Sequence, residues 1–569
     1  MMKYTKHIIV LIISATCACS GCDFISMAMR GRMSFNFLND SIYIEKQRHD
    51  LFYPNGMSET GRLYYLCKIW GFVKYYHDYD FNIDDLLLEE IERTKSCLNR
   101  EEFSRQILDI LQKFSVREDT LHRHDIEEFT LISNHWFEDT VYFEPEVTET
   151  LQYMWKYRPV RNKKSGTKYR EHIYSNNPYP DESRRILSLF RYWNKLNYFY
   201  VYKNFIDESW DKVLFQFIPV FIHSGNANEY NRGVLALTSR LKENHSTIYS
   251  RTVNREIFNG SNRTNFDIKK IGDTFVVNRV EKWEEEIQAG DIILQINQKD
   301  IFSLFDSINQ LVSGGNKWIN QRIVNEKIVQ STDTAATLLI EREGAVFEKN
   351  IKYYTPEQFE TRKNPEQEKG IAVRWISDSI AYIDLRHVDE KNIKKVIKEV
   401  KKSQALILDI RCYPSAMILF PLTDFILPAK THFTICTYPD TNNPGMLRWL
   451  KSYDAGYSPG KAYKGKVALL VNEYTSSYSE FLTMALQTSP NVITVGNSTA
   501  GSDGNITSTD LLGEIRAYYT GYGVYYPDFT PTQRVGVRID YTVEPTIEDI
   551  KNSVDGAYEE AVRILREKT

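Results

Sequence analysis

Residues 471–487, "VNEYTSSYSEFLTMALQ", concentrate hydroxyl side chains at one point of the chain. Thr475, Ser476, Ser477 and Ser479 follow the apolar run "KVALLV", and an apolar pattern of helical period begins after Glu480. Hydroxyls at a strand-to-helix junction can do two things. They can cap the helix, and Ser477-x-x-Glu480 has the spacing of a capping box. Alternatively, one can act as a nucleophile where the helix N-terminus favours developing negative charge. Two other stretches would serve the second use. In "ALILDIRCYPSA" a buried-looking strand ends in a turn, residues Cys412–Ser415, that can present backbone N–H groups to an oxyanion. In "VGNSTAGSDGN" the glycines Gly496, Gly501 and Gly504 allow close backbone approach after another strand.

The elements around these stretches read as α/β from about residue 368. Strands "IAVRWI", "SIAYIDL", "ALILDIR", "KVALLV" and "NVITVG" alternate with helical stretches at 389–403 and 477–489, and "VDGAYEEAVRILREK" closes the chain as an amphipathic helix. Apolar runs without alternation mean strands buried on both faces. Residues 252–355 instead hold short β-branched runs separated by Gly and Asp turns, a small β-rich module. Its segment "IQAGDIILQINQKDI" resembles the Gly-Asp turn and following strands of PDZ domains, which bind extended peptides by strand addition. Residues 61–250 read as helical. "RLYYLCKIWGFVKYYHDYDFNIDDLLLEEI" and "ILSLFRYWNKLNYFYVYKNFIDESWDKVLFQFIPVFI" share a Trp-bearing aromatic helix, an acidic turn and a second apolar helix, so we read a duplicated helical hairpin. The segment 145–180 between them reads as a loop with a solvated basic run.

The chain has 569 residues, 42% hydrophobic and 26% charged, with a formal net charge of -4. It is globular in composition, and nothing in its charge points to nucleic acid. Residues 1–22 carry Lys3 and Lys6, a short apolar run and then small residues before Cys22, a secretory signal too short to span a bilayer. It resembles bacterial lipoprotein signals, which implies acylation at Cys22 after Gly21, with Cys17 and Cys19 as alternatives. Residues 23–60 read as a tether. Cys67, Cys97, Cys412 and Cys436 form no CxxC pair and no cluster with histidine, so neither a metal site nor another cofactor is expected.

Taken together, "NEYTSSYSEFLTMALQ", "VITVGNSTAGSDGNIT", "GYGVYYPDFTPTQRVGVRIDYTVEPTIEDI", "VDGAYEEAVRIL" and "LILDIRCYPSA" resemble the C-terminal-processing, or tail-specific, serine peptidase family. The likeness is greatest to its branch among lipoproteins of Bacteroides-type bacteria, and it covers most of residues 185–569. It implies a multidomain α+β protein: a helical N-terminal region, a PDZ-like module at 252–355 and a crotonase-like α/β core at 368–569.

The resemblance places the nucleophile at Ser477, with Ser476 its nearest rival and Ser479 a packing residue. Where one subgroup carries a base lysine in Gly-Lys-Gly, this chain has "GSDG", with Ser502 in the lysine position. The other branch uses a histidine before the PDZ region, and "TSRLKENHSTI" supplies His245. Glu243 and Asn244 depart from the usual Asp and Gly/Ser there, and Gln533 stands where tricorn-like relatives have a glutamate. A Ser477–His245 dyad is therefore expected, with Glu480, Gln533 and Asp503 as possible supporting residues. Backbone N–H groups of Tyr478 and of Tyr413 or Ser415 would form the oxyanion hole, since Pro414 has none. Cys412, at a position where glycine is common, puts the geometry of that turn in question. A pKa near the unperturbed 6.5 is expected for the histidine, shifted by its surroundings. The function implied is endopeptidase action on exported or cell-surface proteins or peptides, from a lipid anchor in the cell envelope, with no statement on oligomeric state. The alternatives are a catalytically silent peptide-binding lipoprotein of the same fold and a non-proteolytic envelope protein that partners glycans.

Overall fold

The computed structural model describes residues 52–567, apart from 115, 117–130, 159–170, 173, 175, 176, 251–256, 259, 282, 284, 285, 363–369, 459 and 461. Cys22, the signal, most of the 23–60 tether and the basic run at 159–170 lie outside the described residues. The protein is a multidomain α+β assembly of helices and several sheets.

The α/β core is a six-stranded sheet. Its order is Val373–Trp375, Ile380–Asp384, Ala405–Asp409, Lys466–Val471, Val492–Gly496, Tyr541–Thr542. The first pair is antiparallel and the rest are parallel. All five residues of Ala405–Asp409 are buried, as an uninterrupted apolar strand requires. Its side chains divide by parity. Leu406 and Leu408 pack with the helix Tyr478–Leu486, while Ala405 and Ile407 pack with Val562 and Leu565 of the C-terminal helix Gly556–Glu567. Arg411 fastens the end of the sheet by pairing with both Asp409 and Asp555.

Two hairpins absent from the sequence reading complete the core. Thr431–Pro439 pairs with Leu447–Ala455 and with Gly523–Tyr525. Ile506–Leu511 pairs with Ile515–Thr520, and the outer edge of the latter accepts the two-residue strand Ile248–Tyr249 in the register Ile248↔Ala517. That short pairing carries residues from before the β-rich module across to the core.

The β-rich region holds strands Phe266–Ile271, Thr274–Val280, Ile292–Ile296, Lys299–Asp300, Ala335–Arg342 and Ala345–Lys352, with Phe266–Ile271 at one edge. It also contains helices Ile301–Asn309 and Lys317–Ile328, which the reading of short strands alone did not include.

In the helical region the two hairpin copies make the same bond. The Trp70 indole N–H donates to the carbonyl of Ile83, the first residue of the next helix (3.1 Å), and Trp193 donates to Trp210, likewise the first residue of the next helix (2.7 Å). The loop reading of 145–180 needs correction, because Pro145–Lys156 is a helix. Pro145 occupies its first position, and Val147, Leu151 and Met154 recur at helical spacing and are buried.

Candidate active site

Ser477 sits where the strand Lys466–Val471 has ended and the helix Tyr478–Leu486 begins. Its backbone has φ 52° and ψ −116°, a conformation that a non-glycine residue adopts only when its surroundings enforce it. Sharp, strained strand-to-helix turns of this kind present a hydroxyl clear of the sheet. The enforcing group is Glu480. Its buried carboxylate accepts from the Ser477 N–H (3.0 Å), the Ser502 N–H (2.9 Å), the Gly501 N–H (2.7 Å) and the Thr499 hydroxyl (2.5 Å). The capping box read in the sequence is present, and it also ties the serine's turn to the glycine-rich loop. Burial pushes the Glu480 carboxyl above its ordinary range, against the pull of these four donors.

The Ser477 hydroxyl reaches the Gly504 carbonyl at 3.5 Å. Gly504 has φ 115°, and a Cβ there would lie 2.5 Å from the Tyr522 carbonyl oxygen, so glycine is required. The neighbouring hydroxyls point elsewhere. Thr475 donates to the Ile410 carbonyl (2.9 Å) and Ser479 to the Cys412 carbonyl (2.6 Å), both buried. Ser479 is thus a packing residue that fastens the helix to the Cys412–Ser415 turn.

Cys412 lies outside the left-handed region, so a cysteine fits the turn without backbone strain. Its thiol is buried, and burial first, then Asp409, pushes its pKa up to about 12. Among the described residues, no backbone or side-chain acceptor takes the N–H groups of Tyr413, Ser415 or Tyr478. The Tyr413 and Tyr478 rings lie 6.4 Å apart, which brings the turn and the helix start side by side.

His245 stands three residues before Ile248–Tyr249, and that strand pairing delivers it to the end of the Ile515–Thr520 strand. Its Nδ1 is 2.9 Å from the Thr520 hydroxyl. The ring is buried, and burial alone lowers its pKa to about 4, below the value near 6.5 that the sequence reading assumed. No hydrogen bond joins Ser477 to His245 among the described residues. The two are linked through intermediates: Thr520 Cγ2 would lie 2.8 Å from a Cβ on Gly504, the residue whose carbonyl the Ser477 hydroxyl faces.

Glu243 is fully buried, two residues before the histidine. One carboxylate oxygen accepts from the Thr520 N–H (2.8 Å), and the other from the Gln533 amide (3.3 Å). Burial raises the Glu243 carboxyl above its ordinary range. Gln533 therefore lies behind the histidine, against Glu243. Asn244 turns to Ser502 instead (3.4 Å). Asp503 accepts from the Gly504 N–H through Oδ1 (2.8 Å), while its Oδ2 has no partner among the described residues. Burial, reinforced by Glu480, holds the Asp503 carboxyl well above its ordinary range. Sequence reasoning missed Thr520, which no local motif marks.

A groove of about 410 Å³ runs between the edge strand Phe266–Ile271 and the helix Lys317–Ile328. Glu473 and Tyr474, from the turn leading to Ser477, form part of its wall. Lys269 pairs with Glu473 at 2.6 Å, and the Arg322 guanidinium lies over the Tyr474 ring at 4.8 Å. Among the described residues no group of three or more His, Cys, Asp or Glu side chains is arranged to hold a metal, and no helix is long and apolar enough to cross a membrane.

Residues 379–543, which include the nucleophile turn, the glycine-rich loop and the Thr520 strand, match the family model of Peptidase family S41. This core is similar to peptidase family S41. Its enzyme class is that of a serine peptidase. Solved structures similar to this chain include mature CPAF, at 12% identity over 67% of this chain and 96% of that one, TM-score 0.52. CPAF complexed with lactacystin matches at 12% identity over 67% and 97%, TM-score 0.52. The photosystem II D1 C-terminal processing protease matches at 15% identity over 67% and 96%, TM-score 0.39. At such identities the CPAF likeness is one of fold. No curated protein sequence matches the chain.

Proposed function

We propose that this chain is a serine endopeptidase that cleaves exported or cell-surface proteins and peptides, with Ser477 as nucleophile and His245 as general base. The observation that carries the reading is the Ser477 turn, whose strained backbone is held by Glu480 beside unpartnered N–H groups. In the mechanism proposed, His245 takes the hydroxyl proton as Ser477 Oγ attacks the scissile carbonyl. The N–H groups of Tyr478 and of Tyr413 or Ser415 receive the oxyanion. His245 then protonates the leaving amine, and water releases the acyl group by the same steps in reverse. The serine and histidine must close on each other when substrate binds, as catalytic hydrogen bonds often do.

The groove between Phe266–Ile271 and Lys317–Ile328 suits an extended peptide added to an open sheet edge, which supports reading residues 252–355 as a PDZ-like module and residues 368–569 as a crotonase-like catalytic core. The signal and Cys22 support an exported, lipid-anchored protein, and mass spectrometry of the mature N-terminus tests this: a chain starting at an acylated Cys22 is expected, and an unlipidated start elsewhere refutes it.

The experiment for the activity is labelling by a fluorophosphonate probe together with turnover of an unfolded protein substrate. Both should occur in the wild type and vanish in Ser477→Ala. Lactacystin, bound in a CPAF structure, is a second reagent to test at Ser477. Peptide binding without labelling or turnover favours the second reading, a catalytically silent peptide-binding lipoprotein, which the lack of a direct Ser477–His245 bond keeps in play.

A further inference from the structure

Ser477 and His245 share no direct bond, so other contacts must hold the turn that carries the histidine against the loop that flanks the serine. Among the described residues these two pieces share one direct hydrogen bond, Asn244 to Ser502 at 3.4 Å. That is the long end of hydrogen bonding, and a single bond fixes neither distance nor rotation. A second connection runs through the segment 532–536. Its turn is closed by the Val535 and Gly536 N–H groups, which donate to the Thr532 carbonyl (3.1 and 2.8 Å). The Thr532 hydroxyl donates to the Val524 carbonyl (3.0 Å), which fastens the turn to the strand Gly523–Tyr525.

Arg534 sits in this turn with φ 66°. Glycine adopts such a backbone freely and arginine does not, so an arginine here points to a use for its side chain. Its backbone faces the serine's side. The Arg534 N–H donates to the Gly501 carbonyl at 2.8 Å, and the approach is so close that a Cβ on Gly501 would lie 2.7 Å from the Arg534 carbonyl carbon. Gly501 in turn donates to Glu480, the carboxylate that also holds the Ser477 N–H. The side chain faces the histidine's side. Nε donates to the Lys242 carbonyl and Nη2 to the Leu241 carbonyl, both at 3.2 Å, three and four residues before His245. Nη1 pairs with Asp207 at 2.5 Å, just ahead of the helix Trp210–His223. The Arg534 side chain is 18% exposed. Three nitrogens of one rigid plane thus meet three acceptors, a geometry that a guanidinium supplies and an ammonium does not.

We infer that Arg534 is a positioning residue for the proposed catalytic pair, a clamp whose backbone holds the glycine-rich loop beside Ser477 and whose guanidinium holds the turn that carries His245. The inference rests on the Ser477–His245 reading and adds to it a group that touches neither reacting side chain. Its effect belongs to the chemical step. With the fork gone, the histidine's turn keeps the long Asn244 bond to the loop and can shift against it. A displacement of about 1 Å at a reacting pair costs about 100-fold in rate.

Three variants of the full-length protein test this on a cleavable protein substrate: Arg534→Gly, Arg534→Met and Arg534→Lys. Active sites are counted by the end point of fluorophosphonate labelling, so that kcat is expressed per folded site and any loss from unfolding drops out. Glycine removes the fork and suits the backbone, so it guards against a methionine variant that does not fold. Both should lose kcat roughly 100-fold, with KM within about threefold of wild type. Lysine can reach Asp207 but cannot span the two carbonyls as well, and should stay at least about tenfold below wild type. A folded glycine or methionine variant with wild-type kcat overturns the clamp. So does a loss confined to KM, which would put Arg534 in substrate binding, and so does a lysine variant equal to wild type, since a single charge would then suffice. Ser477→Ala and His245→Gln keep the underlying reading separate: turnover retained in either overturns that reading, whereas both inactive beside a fully active Arg534→Gly overturns the clamp alone.

Discussion

Removing the Glu480 carboxylate should cost stability and activity together, and the size of the loss follows from the number of donors it holds. Ser477, Gly501 and Ser502 give it backbone N–H groups and Thr499 a hydroxyl, all within 3.0 Å, and Thr499, Gly501 and Ser502 are buried. A buried donor left without a partner costs about 1–3 kcal/mol. Glu480→Ala strands the three buried donors, about 3–9 kcal/mol in sum, which is a large share of the whole stability of an ordinary domain. This variant should fail to accumulate as a folded protein. Glu480→Gln is milder. If its amide nitrogen faces Thr499 and Gly501, the Thr499 hydroxyl can rotate to accept, and the Gly501 N–H alone is left facing a donor, a cost of about 1–3 kcal/mol. The assay is urea unfolding, paired with the rate of fluorophosphonate labelling at Ser477. The glutamine variant should unfold at lower urea with an unchanged slope. Its labelling should slow, since the Ser477 N–H and the loop at 499–502 share that carboxylate. An alanine variant as stable as wild type to within about 1 kcal/mol would refute the reasoning, because three buried donors cannot all find new partners at no cost.

Three further outcomes are expected. Ser476→Ala should retain labelling and turnover while Ser477→Ala loses both and unfolds within about 1–2 kcal/mol of wild type, the scale of a lost helix cap; the reverse pattern would move the nucleophile by one residue. Because burial lowers the His245 pKa to about 4, the neutral base should persist on acidification and the acid limb of kcat/KM should lie near pH 4 rather than 6.5. The same shift has a sign for stability: between about pH 6.5 and 4 the unfolded chain takes up a proton that the folded histidine refuses, so stability falls as pH drops through that window, by up to about 3 kcal/mol, and His245→Gln should lose this component of the unfolding profile. Lys269→Met should destabilise the protein by about 1–4 kcal/mol in urea unfolding because it leaves the buried Glu473 carboxylate unpaired, and adding Glu473→Gln should recover most of the loss.

The parts of this protein that were legible in its sequence are those whose cause is local. The buried strands of the core announce themselves as apolar runs, and the Ser477 turn as a hydroxyl cluster between such a run and a helical pattern. His245 has no local signature, since a histidine in a short polar turn looks the same whatever it faces; only family resemblance singled it out. Thr520 was illegible for a physical reason. Its role is set by a two-residue strand pairing with a segment more than two hundred positions away, and a threonine ending a strand is what β-propensity alone would place there. The lowered pKa of His245 likewise depends on the surfaces that enclose it. The helix Pro145–Lys156 was passed over because the basic residues after it dominated the reading of its neighbourhood, although its first-turn proline and its buried Val147, Leu151 and Met154 follow the helical rule.

The pairing of Ile248–Tyr249 with the Ile515–Thr520 strand also bears on when this molecule becomes able to act. A chain made from its N-terminus produces His245 some 230 residues before Ser477, and at that stage the histidine has no strand to dock on. When the serine's turn forms, its hydroxyl still lacks the histidine until the hairpin beyond it is complete. Closing so long a loop is entropically costly, and only the last contacts repay it. In the mechanism proposed, proteolytic competence would thus coincide with completed folding. A nascent, truncated or misfolded copy would carry the serine and the histidine, yet it would be harmless to its neighbours without a prosegment or an inhibitor to restrain it.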